Sequence, residues 1–226
     1  GIPGTDFDLA VEGAAIPLAR ALAAKYGGRV TVHARFGTAQ WFLPGPNHRA
    51  LDFISTRLET YKHPAALPTV KTGGLIDDLM RRDFTINTLA IRLDRQHWGQ
   101  LYDELGGQAD LDKGLVRVLH PNSFMDDQTR LFRAVRYEQR YRFQIAPETL
   151  SLMPAACPLI GSLSAERLRH ELDLILEEEQ AVGMLDRLSE LGLLQPVHPA
   201  LTWDAALRER YLTGVRLLQG YQWKLI

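Results

Sequence analysis

Two acids, Asp6 and Asp8, stand two residues apart in the segment DFDLAV. Phe7, Leu9 and Val11 alternate with them, so the segment reads as a β-strand whose i and i+2 side chains share one face. Adjacent carboxylates repel. A hard divalent cation such as Mg2+, which takes oxygen ligands, relieves that repulsion. A third acid from a neighbouring strand completes a two-metal centre able to activate an attacking hydroxyl and stabilise a leaving phosphate oxygen. Asp52, inside the strand-like RALDFIS, is the candidate third acid. Asp6, Asp8 and Asp52 are therefore candidate catalytic residues, with Asp6 and Asp8 the candidate metal ligands. A plain alternative stands beside this: D-x-D is a common word and also describes a solvated strand end.

A second polar word, Arg81-Arg82-Asp83-Phe84-Thr85-Ile86-Asn87, sits between apolar flanks. Guanidinium groups match phosphate geometry, so its arginines suit triphosphate oxygens. Asp83 and Asn87 offer groups that can read ribose hydroxyls. The alternative is an ion-paired helix start in which Asp83 neutralises one arginine.

The elements that must position these residues divide the chain in two. Before about residue 120, strands and helices alternate. DFDLAV, RVTVHA, AQWFL and RALDFIS read as strands, and Ala14–Gly28 as a helix capped by Gly27-Gly28. PGPN, from Pro44 to Asn47, reads as a turn, and Thr60–Gly74, with two prolines and no periodicity, as a loop. LIDDLMRR starts helical, and TLAIRL, from Thr88 to Leu93, returns to strand. Beyond His120, strands disappear and helical periodicity takes over in MDDQTRLFRAVRYEQRYRF, SAERLRHELDLILEEE, AVGMLDRLSELGLL and WDAALRERYLTGVRLLQG. Leu168, Leu172, Ile175 and Leu176 form an apolar stripe in the second of these, behind Ser164 as N-cap.

Composition bounds the function. The 226 residues are 46% hydrophobic and 23% charged, as in ordinary globular chains, which excludes disorder, collagen-like repeats and coiled coil. A net charge of −1 excludes a wholly basic nucleic-acid glove. One cysteine, Cys157, excludes an internal disulfide framework and a cysteine-built zinc site, and fits a cytoplasmic setting. No apolar run approaches the ~18 residues of a membrane span, and no signal peptide is visible. The chain opens without methionine and stops after an aromatic-rich helical stretch, so both ends read as cut from a longer protein.

RRDFTIN, preceded by Asp77-Asp78-Leu79, resembles the signature of class II tRNA nucleotidyltransferases and bacterial poly(A) polymerases. The resemblance extends to D-x-D, FGTA (Phe36 to Ala39), the pattern Asp52…Arg57-x-Glu59-x-Tyr61, and Gly106-Gly107 followed by Asp110. It continues through DDQTRLFRAVRYEQRYRF and ERLRHEL, to about Pro199. HPAALPTV and RVLHPNSF are most similar to a longer-chain branch whose members often carry DHH and CBS domains upstream. The resemblance implies an α+β fold: a nucleotidyltransferase head with a mixed β-sheet (residues 1–119), an all-helical neck (120–162) and a partial helical body (163–226). It matches Asp6 and Asp8 to the metal pair, Asp52 to the third acid, and Arg82, Asp83 and Asn87 to the triphosphate and ribose motif. It implies Mg2+ as cofactor, CTP, ATP and a tRNA 3′ end as partners, further domains upstream and downstream, and no membrane.

In that family the neck carries a protein template for the incoming base. Here its positions are Asp126, Asp127 and Arg130, followed by Arg133 and Arg136. An aspartate accepts from an exocyclic amino group and an arginine donates to a ring nitrogen or carbonyl. Cytosine and adenine present an amino donor beside a ring acceptor, whereas guanine and uracil reverse that order, so a fixed Asp–Arg pair admits C and A. On one continuous helix Asp127 and Arg130 are i, i+3 neighbours, and Arg130, Arg133 and Arg136 form a basic stripe for a phosphate cleft. The alternative is an exposed helix with ion pairs such as Asp126 to Arg130. Three departures stand out. Asp126 replaces a usual glutamate, Thr88 replaces a frequent alanine, and the family's upstream Gly-Gly-x-x-R-D loop precedes the first residue here.

The expected activity is template-independent addition of C and A residues to tRNA 3′ ends. Asp6, Asp8 and Asp52 serve the metal centre. Arg82, Arg133 and Arg136 hold the triphosphate region, Asp83 and Asn87 orient ribose, and Asp127 and Arg130 choose the base. CC-adding, A-adding and poly(A) polymerase activities share these residues. From another class, a catalytically silent RNA- or nucleotide-binding module is the competing reading. None of the seven histidines shows ligand spacing. Trp203, Tyr211, Tyr221 and Trp223 can stack on RNA or pack in a core.

Overall fold

The computed structural model describes residues 6–45, 49–60 and 69–221, without the side chains of residues 6, 35, 60 and 218–221. Most of HPAALPTV, part of PGPN, and the side chains of Asp6, Tyr221 and Trp223 thus lie outside the described residues. The chain forms two compact units, one of residues up to 82 and one of residues from 83 on.

The first unit opens with β1 (Asp6–Val11), α1 (Ala15–Tyr26), β2 (Arg29–His33), β3 (Thr38–Phe42) and β4 (Ala50–Ser55). The sheet order is β1-β4-β3-β2. β1 runs parallel to β4, and β3 is antiparallel to β4 and β2, so the sheet is mixed as expected. Alternation assigns its faces. Leu9, Val11, Val30, Val32, Ala39, Trp41, Leu51 and Phe53 join Ala15 and Ala19 of α1 in one core. The small Ala15 and Ala19, four residues apart, let the helix sit close on the sheet. The Ala15 N–H donates to Ser55 Oγ at 3.0 Å, pinning the helix start to β4. Gly27 closes α1, its N–H donating to Ala23 O at 2.8 Å. Gly28 follows at φ +98°, where a Cβ would stand 2.3 Å from Phe42 O. Only glycine fits that return into β2.

The unit ends with β5 (Arg57–Thr60), β6 (Thr69–Thr72) and α2 (Leu75–Met80). β6 corrects the expected loop: Thr69–Thr72 pairs antiparallel with β5. A four-residue strand has too few residues to show a period, and its partner supplies the ordering. Buried Thr56 ties this part together, its Oγ1 donating to Gly73 O at 2.7 Å.

The second unit begins with Phe84, bridged to Val118, and a 3₁₀ turn over Thr85–Asn87. β7 (Ala90–Ile91) and β8 (Leu101–Tyr102) make a short hairpin, so TLAIRL is strand at two residues only. Then come α3 (Gly107–Lys113), β9 (Leu115–Val116), α4 (Ser123–Asp126), α5 (Thr129–Tyr141), β10 (Gln144–Ile145), α6 (Pro147–Ala156), α7 (Ala165–Leu176), α8 (Ala181–Glu190) and α9 (Ala205–Tyr221). β10 pairs with β9, a strand where only helices were expected. α6 carries its own start signal in Pro147 at the first helical position. Leu131, Phe132, Ala134 and Val135 of α5 are fully buried and centre a core with Phe84, Phe124, Ile160, Ile175, Met184 and Leu188. Ser164 caps α7 as read, accepting from the Arg167 N–H. Leu176 departs from the apolar stripe, being 46% exposed at the last residue of α7.

The word MDDQTRLFRAVRYEQRYRF is broken rather than one continuous helix. α4 ends at Asp126, and Asp127 is extended, with φ −145° and ψ 105°. Its side chain accepts from the Thr129 N–H at 3.0 Å, a local bond that competes with helical continuation. No helix among the described residues is long and apolar enough to cross a membrane.

Candidate active site

The sheet register brings two predicted acids together. Asp8 on β1 lies opposite Asp52 on β4, and Asp52 lies opposite Gln40 on β3. In-register residues on adjacent strands share a face at a spacing of about 4.8 Å. The core residues of these strands occupy the face under α1, so Asp8, Asp52 and Gln40 stand on the opposite one. Asp8 is exposed and Asp52 half-buried. The backbone of Asp6 pairs with Ala50, and its side chain lies outside the described residues. Among the described residues no three His, Cys, Asp or Glu side chains gather as a metal-binding group. Two oxygen-bearing acids in register on one face nonetheless suit a hard divalent cation.

Within the same unit, buried Asp78 organises the arginines. The Arg81 guanidinium donates to Asp78 Oδ1 at 2.8 Å, and Arg82 lies 3.5 Å from Asp78 Oδ2. Glu59 binds Arg57 at 2.8 Å and Arg81 at 3.6 Å. Asp78 thus neutralises the arginine pair. Arg82 keeps a third of its side chain exposed.

In the second unit Asp83 and Asn87 do meet. Asn87 Nδ2 donates to Asp83 Oδ1 at 2.8 Å and to the Tyr137 hydroxyl at 3.3 Å. Arg133 Nε donates to Asp83 Oδ2 at 2.7 Å. Burial works against the Arg133 cation, yet the adjacent Asp83 more than offsets this and raises its pKa. The 3₁₀ turn that holds Asn87 is locked from below. Thr85 Oγ1 donates to buried Asp110 Oδ2 at 2.7 Å, and a Cβ on Gly107 would fall 2.4 Å from Thr85 O. The Gly106-Gly107…Asp110 word is therefore the support of the turn that carries Asn87.

Asp127 lies at the break before α5. Its Oδ1 accepts from the Thr129 N–H at 3.0 Å, Thr129 Oγ1 at 2.7 Å and Arg167 of α7 at 2.7 Å. Arg130 is buried and donates to Ser123 Oγ at 2.6 Å. Asp126 instead approaches His120 at 3.9 Å. Burial, with Arg130 nearby, lowers the His120 pKa. The stripe of Arg130, Arg133 and Arg136 is not a solvated one. Arg136 is buried, 3.8 Å from Glu171 of α7, and burial raises the Glu171 pKa against the pull of Arg136 and Arg133. Arg167, Thr129, Tyr137 and Glu171 escaped the sequence reading. ERLRHEL marked Arg167 and Glu171 as part of a word but gave no partner for either.

Residues 1–117 match the model of the poly(A) polymerase head domain, and residues 142–204 match that of the probable RNA- and SrmB-binding site of polymerase A. The chain is 45% identical over 203 residues to an A-adding tRNA nucleotidyltransferase of Geobacter sulfurreducens, across 89% of this chain and 23% of that protein. A solved apo CCA-adding enzyme superposes with a TM-score of 0.90 at 35% identity, across 95% of this chain and 50% of that one. A tRNA nucleotidyltransferase solved with a primer tRNA and an incoming ATP analogue gives 0.83 at 31% identity, across all of this chain and 64% of that one. The chain thus spans between about a quarter and two thirds of the length of these relatives. With its head model matched over more than half its residues, the chain belongs to the poly(A) polymerase head-domain family, that of tRNA nucleotidyltransferases and bacterial poly(A) polymerases.

Proposed function

We propose that this chain carries the head, neck and part of the body of a cytoplasmic, template-independent RNA nucleotidyltransferase. It adds C and A residues to tRNA 3′ ends from CTP and ATP, and pyrophosphate leaves. Residues 1–119 serve as head, 120–162 as neck and 163–226 as body. The observation that carries this reading is the in-register pair Asp8 and Asp52 on the face of the sheet opposite α1, in a chain of this family. The RNA 3′-OH attacks the nucleotide α-phosphate. Asp6 and Asp8 would hold Mg2+, which supplies charge neutralisation and activation of the hydroxyl, and Asp52 assists.

The remaining roles follow from the side chains. Arg82 donates to triphosphate oxygens in a geometry suited to phosphate. Asp83, Asn87 and Arg133 act as one hydrogen-bonded unit, in which Asp83 and Asn87 orient ribose and Arg133 faces phosphate. Asp127 and Arg130 read the base edge, and Arg136 supports that helix from its buried side. The name of the Geobacter sulfurreducens relative favours a narrower second reading, addition of A alone.

The test is single-nucleotide incorporation with Mg2+ onto tRNA ending at the discriminator base, after one C, and after CC, beside an unrelated RNA. C on the first two and A on the third is the expected result. A alone marks the A-adding reading, C alone a CC-adding enzyme, and long A tails on unrelated RNA a poly(A) polymerase. No incorporation by the folded full-length protein would sink the enzyme reading in favour of a silent binding module.

A further inference from the structure

We infer that Arg167, from the first turn of α7, is the positioning residue that sets the hydrogen-bonding polarity of Asp127 and thereby the discrimination of C and A from G and U. This inference rests on the nucleotidyltransferase reading above.

Three donors converge on one oxygen of Asp127: the Thr129 N–H, Thr129 Oγ1 and Arg167 Nη2. An ionised carboxylate oxygen has about two lone-pair sites, so Oδ1 is saturated. Among the described residues Oδ2 receives no hydrogen bond from the protein, while the side chain stays 22% exposed. The carboxylate therefore offers incoming groups a single acceptor of fixed direction. An exocyclic amino group, as on cytosine or adenine, satisfies it. The carbonyl that guanine or uracil places there would meet an acceptor instead. The two Thr129 bonds come from the residue that opens α5 and anchor the carboxylate locally. The Arg167 bond is charge-assisted and comes from another helix, so it fixes rotation about the carboxylate's own axis.

The placement of Arg167 has no explanation in helix stability. Ser164 caps α7 and accepts from the Arg167 N–H, so Arg167 is the third residue of the first turn. A cation is disfavoured there, because the helix dipole is positive at that end. Neighbouring Arg169 faces solvent, with 83% of its side chain exposed. The structure turns Arg167 inward onto Asp127 at 2.7 Å. α7 also lies in the segment matched by the RNA-binding model, so one ion pair joins that segment to the base reader.

The test uses the full-length protein with Mg2+ and a tRNA ending in CC. kcat and KM are measured for ATP, CTP, GTP and UTP in the wild type, Arg167→Ala, Arg167→Lys and Arg169→Ala. Arg167→Ala is expected to lose about tenfold in the ratio of ATP to GTP, chiefly through KM, as suits loss of one charge-assisted bond. Arg167→Lys should recover part of that ratio, and Arg169→Ala should leave it at the wild-type value. An Arg167→Ala enzyme that is slower but equally selective would overturn the inference and leave Arg167 a structural residue. If alanine prevents folding, Arg167→Met, which keeps the aliphatic stem, takes its place under the same criterion. For a wild type that adds C alone, the ratio of CTP to UTP is read on tRNA ending at the discriminator base, and a wild type that incorporates nothing onto either tRNA overturns the nucleotidyltransferase reading instead. Arg167 is then judged by equilibrium binding of ATP against GTP, where an unchanged ratio in the variant, or binding of neither nucleotide, overturns the inference as well.

Discussion

At the scale of single residues, the proposed roles of Asp8 and Asp52 predict that catalysis and stability separate there. They are exposed and half-buried, and they face each other across β1 and β4. Asp8→Asn or Asp52→Asn removes half of a repulsive pair and no core contact. Each is expected to shift stability by less than about 1 kcal/mol. Incorporation should fall by about a hundredfold or more, the scale on which a positioned catalytic group acts. Single-turnover incorporation beside a thermal melt checks both halves. Asp83 is the opposite case, buried and hydrogen-bonded to Arg133 and Asn87. Asp83→Ala leaves the Arg133 cation half-buried and unpaired, and should cost about 2–3 kcal/mol together with activity. Urea unfolding would show it. The residue types here were legible in the sequence because chemistry depends on type. Their pairing was not. Asp83 and Arg133 lie fifty positions apart, and reading one for ribose and the other for phosphate hid that they bind each other.

At the scale of elements, periodicity exposed what is long and hid what is short or broken. β1 to β4, α1, α5, α7 and α8 follow from alternation or from the helical repeat, because each presents one face to a core. β6, β9 and β10 have two to four residues and no period to read. The break at Asp127 escaped because a side-chain bond two residues away outweighs helix propensity there. Gly107 shows the same dependence on distant partners. Gly107→Ala would drive a Cβ to 2.4 Å from Thr85 O and push α3 off the turn that carries Asn87. A loss of about 1–3 kcal/mol is expected, read as a lower denaturant midpoint. Between α5 and α7, burial raises the Glu171 pKa, with Arg136 and Arg133 opposing in part. A carboxyl with a raised folded pKa binds its proton more tightly when native. Its contribution is full below the ordinary value of 4.5 and is lost as pH rises through the folded value. Glu171→Gln stays neutral and removes that slope. The melting temperature of Glu171→Gln relative to wild type should therefore climb from about pH 4 to about pH 7.

At the scale of the whole molecule, the net charge of −1 conceals an asymmetry. Residues 1–82 hold ten Lys and Arg against seven acids, whereas residues 83–226 hold sixteen against twenty. Many of the later arginines are already committed to carboxylates, as Arg117 is to Asp110, Arg133 to Asp83, Arg167 to Asp127 and Arg187 to Glu138. A cation held in an ion pair contributes little to the attraction of a polyanion, so the helical part of this chain is a weak electrostatic footprint for RNA. Each phosphate contact releases condensed counterions, and the logarithm of affinity falls with the logarithm of salt by about 0.7–0.9 per contact. The three excess cations of residues 1–82 correspond to a slope of about −2 to −3 for tRNA binding to this chain alone. Titration of labelled tRNA across a range of salt measures it. A much steeper slope would place a dense basic surface on this chain that its paired arginines do not provide. A shallow slope here beside a steep one for the full-length protein would assign most of the tRNA grip to other parts of that protein, and to this chain the chemistry and choice of the added nucleotide.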